Sequence, residues 1–194
     1  LYLLHGAAAD EGQWDEIGVD EAMETLLAEG RIPPFLIVMP HEPFEGLDPD
    51  DAFEDALLQE LIPWVDGQFS TLESRTYRAI GGVSRGGNWA LRIGFKHWRT
   101  FAAVGGHSAP VFYGDDGRIP RWLADIPEGQ TPAIFLDIGM DDQDKKHTRA
   151  LESLLTELGI PHTWHLYPGT HDEAYWHDHV PAYLLWYASH WMGD

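Results

Sequence analysis

The sequence predicts an α/β protein: a mostly parallel central sheet with helices on both faces. Three observations carry that prediction. Short apolar runs alternate with helix-like stretches, the pattern of repeated βαβ units. Most of those runs are apolar at every position, which suits strands covered by helices on both sides. Hydrophobic residues make up 44% and charged residues 23% of 194 residues, which supports one sizeable core and a single domain over 1–194.

The strands are predicted at residues 1–4, 35–39, 77–81, 101–104, 133–138 and 163–167. Amphipathic stretches lie between them. The first, 20–29, is closed by Gly30 and the Pro33-Pro34 pair. The second, 51–69, carries Phe53, Leu57, Leu61 and Trp64 at helical spacing and is interrupted by Pro63. The remaining helices are expected over 88–95, 144–158 (closed by Gly159, then Pro161) and 179–192. Pro181 suits the first turn of the last one, where a missing N–H costs little. The chain opens without Met on Leu1-Tyr2-Leu3-Leu4, which reads as a strand already in progress with residues upstream of this numbering. No signal for or against export follows from that start.

Composition removes several functions. There is no cysteine, which excludes disulfides, thiolate nucleophiles and cysteine-ligated metals. The formal charge of −20 repels phosphate backbones and anionic headgroups, so neither nucleic acid nor membrane is an expected partner. No apolar run approaches the roughly 18 residues that span a bilayer.

The chemistry centres on Gly82-Val83-Ser84-Arg85-Gly86, which matches G-x-S-x-G between a predicted strand and a predicted helix. In the α/β-hydrolase fold this sequence makes a strained turn that lifts the serine hydroxyl above the sheet edge. The flanking glycines relieve the crowding. An alkyl hydroxyl needs a base to take its proton during attack. In this fold the order along the chain is serine, acid, histidine, so His5, His41 and His97 come too early. His171, in Pro168-Gly169-Thr170-His171-Asp172 after the last strand, is the expected base. His177 and His179 are its competitors. The acid belongs in Gly139-Met140-Asp141-Asp142-Gln143-Asp144; Asp142 is the first choice, Asp141 the second and Asp144 the third, as an N-cap. Two backbone N–H groups should hold the developing oxyanion: Arg85, after the nucleophile, and Ala7 in His5-Gly6-Ala7-Ala8-Ala9.

These segments resemble the putative-esterase family that includes esterase D, feruloyl esterases and enterochelin esterases. The likeness runs through Leu1-Tyr2-Leu3-Leu4-His5-Gly6, Glu60-Leu61-Ile62-Pro63-Trp64-Val65, Ala79 to Gly87 and Phe101-Ala102-Ala103-Val104. Gly139 to Asp142 matches its G-x-x-D loop. Gly169-Thr170-His171-Asp172 with Tyr175-Trp176 matches its G-x-H-D…W loop. The resemblance implies an α/β-hydrolase fold and carboxylic ester hydrolysis, and it supports Asp142 over Asp141. It also implies strands ahead of the first one seen here. Arg85 departs from the apolar residue common at that place; its guanidinium is expected to pair with a nearby carboxylate rather than with substrate.

No metal or organic cofactor is needed for such acyl transfer, and H-E-x-x-H is absent. The connection 107–131, with Phe112, Tyr113 and Trp122, is too short for a cap domain. An open cleft rimmed by Tyr113, Trp122 and Trp176 is therefore expected. It suits small-molecule or carbohydrate-linked esters of short acyl or aromatic acids with a bulky alcohol part. Two rivals share the sequence evidence: an acyltransferase with the same triad, and a non-catalytic binding protein.

Overall fold

A computed structural model describes residues 1–43 and 51–192. Five strands form one wholly parallel sheet in the order β1 (Tyr2–Leu4), β2 (Ala79–Val83), β3 (Ala103–His107), β4 (Ala133–Gly139) and β5 (Thr163–Tyr167). The helices are α1 (Gln13–Glu16), α2 (Val19–Ala28), α3 (Asp51–Ala56), α4 (Ile62–Gln68), α5 (Arg85–Lys96), α6 (Ile119–Ala124), α7 (Lys145–Glu157) and α8 (Glu173–Ser189).

The strand period of two sorts the core into two layers. Tyr2, Leu4, Ile80, Val104, Ile134 and Leu136 face one side, where α5 and α7 bring Trp89, Ile93, Leu151 and Leu155. Leu1, Leu3, Ala79, Val83, Ala103 and Phe135 face the other, against Trp14, Leu26, Tyr183, Leu184 and Tyr187 of α1, α2 and α8. Both sides of β1 to β4 are covered and nearly all of their residues are buried, whereas every residue of the edge strand β5 is half-buried.

Three sequence expectations are corrected. Residues 35–39 form no ladder: Val38 alone bridges β1, donating to Leu1 O at 2.8 Å and accepting from Leu3 N at 2.9 Å. Helix α8 begins at Glu173, because the Asp172 carboxylate accepts the Tyr175 N–H at 2.8 Å and caps it there. Pro181 therefore lies inside that helix and not in its first turn. Between α3 and α4 the chain makes a π-helical turn over Leu57–Leu61, just ahead of Pro63. The extra residue advances the buried face. After Phe53 and Leu57 it continues through Ile62 and Val65, and the indole of Trp64 is left exposed.

Three strands also end later than predicted, β2 by two residues, β3 by three and β4 by one, and the difference matters for the site. β3 extends to His107 and β4 to Gly139, so the loops that follow start at the same sheet edge as Ser84. Among the described residues no helix is long and apolar enough to cross a membrane.

Candidate active site

Ser84 stands between the last residue of β2 and the first of α5, with φ 52° and ψ −119°. Non-glycine residues rarely adopt positive φ, so the neighbours must make room. They do so through two glycines. A Cβ on Gly86 would stand 2.1 Å from Leu4 O, and one on Gly82 would stand 2.3 Å from Gly86 C. The turn is pinned by Ser84 N–H donating to His107 O at 2.8 Å and by Asn88 N–H donating to Ser84 O at 3.0 Å.

His171 is carried by the loop after β5. Its Nε2 lies 2.9 Å from Ser84 Oγ and its Nδ1 lies 2.9 Å from Asp142 Oδ2. The acid and histidine loops dock directly. Met140 N–H donates to Tyr167 O at 2.7 Å, and Asp141 N–H donates to Gly169 O at 2.9 Å. Gly139 permits this, since a Cβ there would meet Gly169 O at 2.4 Å. Asp142 is buried, and its Oδ1 accepts the Asp144 N–H at 2.7 Å. Asp144 Oδ2 is farther from the ring, at 3.8 Å from Nδ1, and the Asp141 side chain is exposed.

Burial opposes charge on both partners, yet their mutual contact prevails. For Asp142, burial pushes the pKa up, but hydrogen bonds from His171, the Asp144 N–H and Ser108 leave it below the ordinary carboxylate value. For His171, burial pulls the pKa down, but Asp142, with Asp144 and Asp172, leaves it above the ordinary imidazole value. An ionised Asp142 favours the Nδ1–H tautomer, in which Nε2 is the ring's acceptor toward Ser84 Oγ.

The two competing histidines are engaged elsewhere. His177 Nδ1 lies 3.0 Å from Ile17 O, and His179 Nδ1 lies 2.7 Å from Tyr175 O. A second histidine–carboxylate pair, His107 Nδ1 with Asp137 Oδ1 at 2.7 Å, is fully buried. Its Nε2 meets the Tyr187 hydroxyl at 3.0 Å and faces no serine hydroxyl. Asp137 also accepts from Tyr175 OH at 2.6 Å and Tyr183 OH at 2.8 Å, so this cluster is a support beneath the site.

The loop after β1 passes beside the nucleophile, because a Cβ on Gly6 would stand 3.6 Å from Ser84 Cβ. Gly6 N–H is already committed to Gln13 Oε1 at 2.7 Å. Ala7 is next along the exposed turn, and Arg85 opens α5, where helix N–H groups lack intrahelical partners. The Arg85 side chain points away from this role. Its Nε and Nη2 grip Glu42 Oε2 and Oε1, each at 2.8 Å, in a buried bidentate pair. Glu42 N–H donates to His5 Nε2 at 2.9 Å, and His5 Nδ1 donates to Gly6 O at 2.9 Å, which closes the frame around the loop.

The aromatic residues expected at the rim are placed differently from one another. Trp176 is buried, its ring edge-on to that of His171 with centroids 5.2 Å apart. Trp122, on α6, packs against the core under the Arg92 guanidinium, 5.7 Å from its ring centroid. Tyr113 is 96% exposed. No hydrogen bond or ring contact among the described residues joins Trp122 or Tyr113 to Ser84 or His171. A cleft of about 460 Å³ lined by Leu1, Leu36, Tyr77, Arg78 and Trp191 lies at the opposite, N-terminal ends of β1 and β2. Among the described residues, one grouping has metal-ligand spacing: Asp142, Asp144 and His171, within 4.8 Å. Both ring nitrogens of that histidine are already engaged by Ser84 and Asp142.

The family model described as "Putative esterase" matches residues 1–187. The chain belongs to this esterase family. Its fold is that of the α/β-hydrolases. An endo-1,4-beta-xylanase/feruloyl esterase of Xylanibacter ruminicola is 36% identical over 166 residues, which is 79% of this chain and 21% of that protein. An esterase of Mycobacterium tuberculosis is 31% identical over 225 residues, 88% of this chain and 48% of its own. The chain therefore spans about a fifth to a half of the length of these relatives. Among solved structures, a ferulic acid esterase superposes with TM-score 0.85 at 25% identity, covering 97% of this chain and 84% of that one. A feruloyl esterase module from Clostridium thermocellum, complexed with sinapinate, gives TM-score 0.86 at 18% identity, covering 100% of this chain and 78% of its own.

Sequence reasoning missed Gln13, Glu42 and Ser108. Gln13 holds the Gly6 N–H seven positions away, Glu42 reaches Arg85 and His5 across 43 and 37 positions, and Ser108 meets Trp176 across 68, so none has a local pattern to betray it.

Proposed function

We propose that this esterase hydrolyses carboxylic esters through an acyl-enzyme on Ser84, with His171 as base and Asp142 as its acid, within a single domain over 1–194. One observation carries the reading: His171 stands within hydrogen-bond reach of both Ser84 Oγ and Asp142 Oδ2, at 2.9 Å each.

In the first half-reaction the Ser84 hydroxyl attacks the ester carbonyl carbon as Nε2 takes its proton. The carbonyl oxygen becomes an oxyanion, held by the backbone N–H groups of Ala7 and Arg85. Collapse expels the alcohol, which leaves with the proton from His171. In the second half a water gives its proton to the same nitrogen and attacks the acyl carbon. The carboxylic acid departs, and the proton returns to Ser84. No cofactor enters either half.

The proposed substrates are small-molecule or carbohydrate-linked esters of short acyl or aromatic acids with a bulky alcohol part. A relative at 36% identity is named for xylanase and feruloyl esterase activities, and solved structures of the same fold hold ferulic acid or sinapinate. The short connection around the exposed Tyr113 supports an open approach to Ser84. A chromogenic panel tests this: 4-nitrophenyl acetate, a 4-nitrophenyl hydroxycinnamate and 4-nitrophenyl palmitate, each with wild type and Ser84→Ala. The reading expects the acetate and hydroxycinnamate to be cleaved faster than the palmitate, with Ser84→Ala inactive on all. Preference for the palmitate sinks the substrate class, and no Ser84-dependent cleavage of any ester sinks the reaction.

A further inference from the structure

Trp176 and Ser108 lie beneath the proposed triad and belong to none of its three roles. Trp176, in the first turn of α8, is 5% exposed, and its ring plane meets that of His171 at 80°. Its Nε1–H donates to Ser108 Oγ at 3.2 Å. Ser108 follows the last residue of β3, is fully buried, and has φ 50°. Its N–H donates to Asp137 O at 2.9 Å, which holds that rare backbone conformation in place.

The hydrogen-bond inventory sets the direction of the next link. An indole N–H can only donate, so it takes a lone pair of Ser108 Oγ and leaves the hydroxyl's single proton for an acceptor. The Ser108 hydroxyl is close enough to the Asp142 carboxylate to help hold its pKa down. Asp142 in turn faces His171 through Oδ2 and the Asp144 N–H through Oδ1. The hydroxyl anchors the indole, and the carboxylate orients the imidazole. The same indole braces the edge of that imidazole.

We propose that Trp176 and Ser108 are positioning residues: Ser108 anchors the indole, and the indole braces the His171 ring that Asp142 orients, which holds the base in one geometry. The inference rests on the triad reading above, and it gives Trp176 a place behind the histidine in preference to a place against substrate. Asp144 and Asp172 also face His171. Asp137, with His107, Tyr175 and Tyr183, lies below Ser108.

Trp176→Phe keeps the ring and removes the donor; Ser108→Ala removes the hydroxyl. Steady-state kinetics on 4-nitrophenyl acetate, and the His171 ring titration followed by ¹⁵N NMR without substrate, read the outcome. Trp176→Phe is expected to lower kcat about 3- to 10-fold with KM unchanged within about twofold. Ser108→Ala is expected to lower kcat about tenfold and to raise the His171 titration midpoint by about half a pH unit. The rise follows because a carboxylate with one donor fewer is a stronger partner for imidazolium. A several-fold rise in KM with kcat unmoved in Trp176→Phe would mean the indole binds substrate, and the proposal falls. It falls too if Ser108→Ala leaves both midpoint and kcat unchanged. Should Ser108→Ala not fold, the kcat and KM of Trp176→Phe decide alone. The titration needs no turnover, so a protein that cleaves no ester yet shows the midpoint rise fails the function reading and keeps this one.

Discussion

His171 Nε2 lies 2.9 Å from Ser84 Oγ although 87 positions separate the two residues. Ester hydrolysis as proposed needs two further loops, one bringing Asp142 and one bringing the backbone N–H of Ala7.

The pH dependence follows from His171. Its pKa is raised, and the base must be neutral to accept the serine proton. Activity should therefore rise with pH through a midpoint above the ordinary imidazole value of about 6.5. Stability runs the other way. A histidine with a raised folded pKa stabilises fully below its unfolded value, and that contribution fades as pH rises through the folded value. A kcat/KM profile and a denaturation series over the same pH range check both signs. His171→Ala should flatten the stability slope in that window.

The three candidate acids separate by distance. Asp142 Oδ2 is 2.9 Å from His171 Nδ1, and Asp144 Oδ2 is 3.8 Å away. Asp142→Ala is expected to lower kcat by about 10³-fold or more. Asp144→Ala keeps the backbone N–H that Asp142 accepts and should stay within about tenfold of wild type. Asp141→Ala should be near neutral, since only its backbone N–H reaches the histidine loop. Single-turnover rates for the three variants decide the assignment.

The nucleophile turn tolerates no added carbon. Gly86→Ala would place a Cβ 2.1 Å from Leu4 O and 2.6 Å from His5 O, both backbone atoms of a buried strand end. Loss of activity and a stability loss of about 3 kcal/mol or more are expected in urea unfolding. Gly67→Ala is the contrast. It lies in α4 with nothing within 4 Å of a new Cβ, and it should gain about 0.5–1 kcal/mol with unchanged kinetics.

Arg85 and Glu42 test the frame around the oxyanion loop. Removing one partner leaves the other charge buried, so Glu42→Leu should cost about 3–5 kcal/mol. The double variant Arg85→Met with Glu42→Leu should recover much of that loss. Because the guanidinium is held by Glu42, Arg85→Met should leave the ratio of rates on neutral and acidic esters unchanged. Urea midpoints for the cycle and paired-ester kinetics check the two statements.

The order of loops was legible in the sequence, and so was the side chain each would deliver. G-x-S-x-G, the acid loop and the histidine loop are local patterns tied to strand ends, and the structure brings Ser84, Asp142 and His171 together. Less legible were features set by long-range contacts. Residues 35–39 have the composition of a strand but share only a bridge at Val38 with β1. Pro181 looked like a helix start because the true cap is one carboxylate, Asp172, bonding one N–H. The π turn before Pro63 changed which aromatic is buried, and no periodicity count anticipates an inserted residue. Trp176 is expected at the cleft rim, and the structure buries it. Its indole N–H donates to Ser108, which belongs to a loop 68 positions away.

Labelling by a fluorophosphonate probe, mapped by mass spectrometry, tests the central claim most directly, because phosphonylation of a serine requires the base and the oxyanion donors together. The account predicts one adduct on Ser84 in the wild type, abolished in Ser84→Ala and slowed by about 10³-fold or more in His171→Ala. An adduct on another residue, or none on Ser84 in folded protein, would contradict it.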